Sequence, residues 1–238
     1  MKLLTTSNAK IRKGEKSGYQ TRGLHLAPSN LSGFNTCSFA SDGCAAACLN
    51  TSGRGAQGNV QDARINKTIF FFKERASFME KAIKEIKSAI KKAEKNGLIP
   101  CFRLNLTSDL PWEKIKFEGK TIFELFPTVQ FYDYTKVPSR MIQFLAGNLP
   151  SNYHLTFSKS ESNDSEVQFV TKNGGNVAVV FAGKELPNTY LGKQVIDGDK
   201  DDLRFLDPAG VVVGLLAKGK AKKDKSGFVV SAKGKGCK

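Results

Sequence analysis

The chain has 238 residues, of which 40% are hydrophobic and 25% charged, a composition that excludes disorder and is enough for one buried core. No stretch approaches ~18 apolar residues and the first residues lack an apolar signal core, so the expectation is a cytoplasmic protein with no membrane partner. The net charge of +15 comes from 37 Lys/Arg against 22 Asp/Glu, and it is unevenly placed. Residues 1–30 carry six basic groups against one acid, residues 73–96 eight against four, and residues 217–238 eight against one. Between residues 97 and 216 acids outnumber bases, fourteen to twelve. A near-neutral body with basic ends and one basic helix fits a polyanion, most simply nucleic acid bound without sequence preference.

Residues 1–36 show little periodicity and read as loop with short strands. A polar, glycine-rich loop covers 51–59, and a helix is predicted over 60–72. The clearest helix runs over 75–95, where Phe78, Ala82, Ile83, Ile86, Ala89, Ile90 and Ala93 recur at helical spacing and Asn96-Gly97 makes a stop. Its lysines, Lys84 and Lys91 among them, are candidates for phosphate contact. Strands are predicted over 98–106, 129–134, 153–157, 177–181 and 211–216, with helices over 122–126, 139–146 and 165–172 between them. This alternation predicts an α/β domain over residues 1–216 with parallel strands and crossover helices. The Lys/Gly-rich residues 217–238 read as a basic tail outside it, removable without touching the rest. In the tail, Lys218, Lys220, Lys222, Lys223 and Lys225 are the expected nucleic-acid contacts, with a short strand over 228–230.

In parallel α/β folds ligands sit at the carboxyl ends of the strands. That rule selects Asn105, Thr107, Ser108 and Asp109, then Asp133, Thr135 and Lys136, then Ser158, Lys159 and Ser160. The run Asp197, Asp199, Asp201, Asp202, Asp207 lacks the glycine and terminal glutamate of an EF-hand loop and reads as an acidic loop that turns or pairs with the basic tail.

Five cysteines, an odd number, argue against a disulfide framework in such a protein. Cys37, Cys44 and Cys48 are spaced C-x6-C-x3-C on a small-residue segment. Soft thiolates select zinc, Cu(I) or iron–sulfur clusters, and structural zinc wants four closed ligands. Three thiols leave one corner of a [4Fe–4S] cluster uncovered, with Cys101 or Cys237 as candidate fourth ligand. The alternative is that these cysteines are small buried hydrophobes.

The blocks Leu4-Thr5-Thr6-Ser7-Asn8-Ala9-Lys10, the cysteine run, Asn105-Leu-Thr-Ser-Asp109, Asp133-Tyr-Thr-Lys136, Asp197-Gly-Asp199, Leu206-Asp207-Pro208 and Gly214-Leu215 resemble a bacteriophage family of unassigned function. Some of its members are labelled rolling-circle replication initiators. The cysteine spacing and Thr135-Lys136-Val-Pro138-Ser-Arg140-Met141 are more distantly similar to a phage family related to radical-SAM and spore-photoproduct-lyase-like barrels. That resemblance implies a partial or complete (β/α) barrel in the cytoplasm of an infected host, with a [4Fe–4S] cluster on Cys37, Cys44 and Cys48. Asn105, Asp109, Asp133 and Lys136 would line the pocket above it, and Arg54 would hold an anionic substrate.

The usual radical-SAM signature is C-x3-C-x2-C, so S-adenosylmethionine use is a weaker implication than the cluster itself. The rival reading is a nickase-like replication protein in which the cysteines are structural. Such nickases hold a divalent metal with a His-hydrophobe-His pair. Here the two histidines are His25 and His154, and Tyr132 and Tyr134 are explained as strand packing.

Overall fold

The apolar face at helical spacing builds α4 (Arg75–Lys95), and its Phe78, Met79, Ala82, Ile86 and Ala93 are buried. Each large member removed from water contributes about 1.5–3 kcal/mol, enough to anchor the helix although its outer face is lysine-rich. The computed structural model describes residues 1–6 and 8–232.

The elements before α4 are β1 (Leu4–Thr5), α1 (Ala9–Arg12), β2 (Tyr19–Leu24), α2 (Asp42–Ala46) and α3 (Gly58–Lys73). After α4 come β3 (Ile99–Arg103), the hairpin β4 (Lys116–Phe117) and β5 (Lys120–Thr121), α5 (Ile122–Leu125), β6 (Gln130–Thr135), α6 (Pro138–Leu145), β7 (Tyr153–Ser158), α7 (Asp164–Lys172) and β8 (Val177–Phe181). The chain ends with β9 (Thr189–Tyr190), β10 (Lys193–Asp197), β11 (Val212–Leu216) and β12 (Val229–Val230).

Ten strands form one sheet in the order β1-β2-β3-β6-β7-β8-β11-β10-β9, with β12 also on β8. From β2 to β8 the strands are parallel and in chain order, each crossover returning beside its predecessor. Helices and one sheet face share a single core of Phe78, Ile86, Phe102, Phe131, Met141, Leu155, Phe157, Val170 and Val179 among others. The other face is covered by the segment around Leu203 and Phe205, which packs on Cys101, Tyr132 and Tyr19.

The sheet does not close, which corrects the expectation of a complete barrel. Antiparallel pairing ends it on both sides, β1 on β2 and β9 on β10, so no parallel edge remains free to close it. The strand β2 falls within residues 1–36, read as loop with short strands but with no strand placed. Its Tyr-Gln-Thr-Arg-Gly-Leu sequence lacks apolar alternation, because Gln20 and Arg22 bond each other (2.8 Å) and Gln20 reaches the Ala89 carbonyl on α4 (3.4 Å).

Part of the segment read as a basic tail joins the sheet, through the short strand expected over 228–230. Beyond Ala178 the strands β7 and β8 part, and β12 enters the gap, pairing Val229 with Val180 and Val230 with Phe181. Val229–Val230 are therefore part of the sheet, while Ala217 and Ala221 pack against Ala47. Among the described residues no helix is long and apolar enough to cross a membrane.

Candidate metal centre

The cysteine loop follows β2, the first strand of the parallel series, and lies over the carboxyl edge of the sheet. Three anchors hold it there. Thr36 donates through Oγ1 to the Ala27 carbonyl (2.6 Å) and accepts at its own carbonyl from the Asp109 amide (2.8 Å). Ser41 caps α2, accepting from the Cys44 amide (3.3 Å). Glu161, just past β7, accepts from Ser41 Oγ and the Gly43 amide, both at 2.7 Å. Burial would raise the Glu161 carboxyl, but its own backbone amide, with Ser41 Oγ and the Gly43 amide, holds it below its usual range. A side chain at Gly43 would meet Ser226 Oγ at 2.1 Å and Phe228 Cβ at 2.8 Å, so the loop fits only with glycine there.

Cys37, Cys44 and Cys48 are all partly buried and free. Each thiol lies within electrostatic range of another: Cys37 feels Cys44, and Cys48 feels both. Burial pushes the Cys37 and Cys48 thiols above their ordinary values. The Cys37 thiol points at the Thr107 carbonyl, 3.8 Å away, at the exit of β3. Among the described residues no group of three His, Cys, Asp or Glu is arranged to hold a single metal ion. Cys101, a candidate fourth ligand, is not with them. It is fully buried on the opposite sheet face, 3.1 Å from Thr21 Oγ1, and burial raises its thiol to about 12. Cys237 lies outside the described residues.

One buried cation and one neutral histidine stand beside the loop. Arg64, on α3, is buried; its Nη1 bonds the Asn50 side chain and carbonyl, and the Cys48 thiol is the acidic group within its reach. His25, at the exit of β2, contacts Thr107 Oγ1 (3.2 Å) and Asn8 (3.5 Å). Burial, then Arg64, Lys67 and Arg103, push its ring down to about 3, so it is neutral at physiological pH.

The strand exits carry the residues expected of them, though mostly in structural bonds. Asn105 donates through Nδ2 to the Leu110 carbonyl and accepts from Ser108 Oγ and the Leu110 amide. Asp133 is fully buried and accepts from the Asn105 amide (2.7 Å) and Tyr153 Oη (3.0 Å). Burial outweighs those bonds and raises its carboxyl to about 7. Asp109 accepts from the Lys136 amide (2.7 Å) and Thr135 Oγ1 (3.2 Å), and pairs with Arg140.

Arg140 is legible in the sequence only as part of the block Thr135–Met141, yet it ties the edge together. Its Nε and Nη2 grip both oxygens of Glu113 (2.8 and 3.0 Å), and Nη2 also donates to Tyr153 Oη (2.8 Å). Lys136 stands over the Phe228 ring, 5.5 Å from its centroid, and Arg54 is exposed on the glycine-rich loop.

The basic residues expected to meet nucleic acid divide into two places. Lys84 and Lys91 are exposed on α4. Lys218, Lys220, Lys222, Lys223 and Lys225 are exposed on or beside the 3-10 turn Gly219–Lys223. That turn packs against the chain beside Cys48: Ala217 and Ala221 bury against Ala47, with Phe228 and Val229 beside them. The lysines and cysteines therefore share one edge of the molecule, although they lie about 170 residues apart in sequence. Asp199 and Lys218 form an ion pair at 2.6 Å, which supplies the expected contact between acidic loop and basic segment.

No curated protein and no solved structure matches the chain. One family model, described as Gene product 88, matches residues 2–232. With nearly the whole chain covered, the protein belongs to the Gene product 88 family of bacteriophage proteins, whose function is unassigned.

Proposed function

We propose that this phage protein carries an iron–sulfur cluster on Cys37, Cys44 and Cys48 and acts at that site on nucleic acid. The observation that supports the reading is that three thiols of one loop stand within electrostatic range of one another beside the exit of β3, at the end of a parallel sheet where α/β folds place their chemistry. A bound cluster would supply an iron open to substrate or to electron transfer. The chain-order parallel strands β2 to β8, with the loop after the first of them, also favour a partial radical-SAM-like barrel. In this reading Arg64 offsets the negative charge of the thiolates, and Glu161 fixes the loop at Gly43.

The polyanion half of the proposal rests on the five exposed lysines beside the loop. A strand held by them would run across the cysteines, which makes it a substrate as readily as a passive partner.

Anaerobically isolated protein is expected to be brown and to yield iron and sulfide. Single replacement of Cys37, Cys44 or Cys48 by Ala should strip the iron, whereas Cys101→Ala should keep it. Colourless, iron-free protein from anaerobic isolation would end the cluster assignment and favour the structural reading of the thiols. For nucleic acid, about five phosphate contacts predict a log–log salt slope near −4 on duplex DNA. Salt-insensitive binding, or none at low salt, removes nucleic acid from the proposal.

A further inference from the structure

A glycine-rich loop beside the cysteines brings together Arg64, which the cluster reading uses only for its charge, and donors that it leaves unused. Residues 52–58, Ser-Gly-Arg-Gly-Ala-Gln-Gly, run from the turn after Cys48 into α3. Two buried polar atoms without a partner lie at this place, Ser52 Oγ and Arg64 Nε. Both are donors. The Arg64 side chain is only 7% exposed, and no carboxylate among the described residues pairs with it. A buried guanidinium without an anion is costly, so the position calls for one.

The helix start adds to the same field. The 16-residue helix α3 begins at Gly58 with no side-chain cap and no acid in its first turn, leaving the positive end of its dipole unopposed. The loop backbone lies against the guanidinium. A Cβ at Gly55 would stand 2.8 Å from the Asn50 carbonyl and 3.2 Å from Arg64 Nη1. Gln61 locks this shape, exchanging bonds of 2.7 Å with both the side chain and the carbonyl of Asn50. Over the loop lies Gly219, where a Cβ would be 2.0 Å from Ser52 Oγ, with exposed Lys218 and Lys220 on either side.

We propose that Ser52, Arg64 and the amino end of α3 form a phosphate site, which takes the terminal phosphoryl group of a nucleotide or of a nucleic-acid strand end. Buried donors without partners, glycines that let the backbone approach and a helix amino end are means by which proteins hold phosphate. Arg64 supplies the charge-assisted bond. The burial of both donors selects a terminal group, because an internal diester carries chain on two sides and cannot enter a recess. Arg54, Lys218 and Lys220 would meet the rest of the ligand at the rim. The site needs no metal, so it stands or falls separately from the cluster.

The test is calorimetric titration of the full-length, metal-free protein with inorganic phosphate, then with 5′-phosphorylated and 5′-hydroxyl oligonucleotides. Arg64→Gln should weaken phosphate binding about tenfold or more and Ser52→Ala severalfold, with circular dichroism to establish that each variant is folded. If Arg64→Gln does not fold, Ser52→Ala and Arg64→Lys carry the comparison. A preference for the 5′-phosphorylated strand that Ser52→Ala diminishes assigns a strand end. Equal binding of the two strands, with phosphate binding still sensitive to Ser52 and Arg64, assigns a free nucleotide. No binding of millimolar inorganic phosphate by folded wild-type protein, or binding indifferent to these substitutions, overturns the proposal.

Discussion

Replacing Arg140 by Met should destabilise the fold by about 3–5 kcal/mol, because it strips the guanidinium from the buried Glu113 side chain and from the partly buried Asp109. Glu113 is 5% exposed at its side chain and loses both of its bonds to the guanidinium. Asp109 loses its ion pair but keeps the Lys136 amide and Thr135 Oγ1. Tyr153 Oη loses a donor and still gives its proton to Asp133. For a chain of this size the loss corresponds to a fall in Tm of roughly 6–20 °C. Arg140→Lys keeps the charge without the two-pronged grip on Glu113 and should lie between the two. Lys84→Ala, on the exposed face of α4, should stay within about 0.5 kcal/mol of the parent. Chemical denaturation followed by fluorescence measures all three, and an Arg140→Met protein as stable as the parent would show that the network adds nothing to folding.

That network marks the boundary between what the sequence tells and what it hides. Apolar spacing locates α4 to the residue, and β8 as well, because both depend on a pattern carried within one segment. The rule that ligands gather at strand exits names Asn105, Asp109, Asp133 and Lys136; Asn105 and Asp109 follow β3 and Lys136 follows β6, whereas Asp133 is buried within β6. It cannot say that Asn105 and Asp133 are consumed in bonds to each other, since those partners are 28 residues apart. Strand β2 is hidden because its inward positions are Gln20 and Arg22, whose burial depends on partners rather than on hydropathy. Glu161 and His25 give no signal at all, each being a single polar residue whose role comes from a loop over a hundred or about eighty residues away. The tail misleads for a related reason. Its lysines dominate the composition, while the packing is done by Ala217, Ala221, Phe228 and Val229, small and scattered among the charges.

Removing residues 217–238 should therefore damage the cysteine site as well as nucleic-acid binding, the opposite of what a detachable tail predicts. Truncation uncovers Ala47 and takes away β12, leaving Val180 and Phe181 on β8 without that partner strand. It also removes Ser226 and Phe228 from beside Gly43, so the loop would be held there by Glu161 alone. We expect the truncated protein to retain little iron, to melt at lower temperature and to bind DNA weakly. Changing Lys218, Lys220, Lys222, Lys223 and Lys225 to Gln separates the two effects. These side chains are exposed, and the buried Ala217 and Ala221 are untouched. That variant should keep its iron and its melting temperature while the salt slope falls by about 4, since each phosphate that is no longer neutralised takes away nearly one unit. Iron content, thermal melts and salt titrations on the three proteins decide the matter. If the truncated protein kept its iron and melted with the parent, residues 217–232 would have no part in holding the cysteine loop. If the five-lysine variant bound DNA with an unchanged slope, the phosphate-binding cations would have to lie elsewhere, with the lysines of α4 next in line.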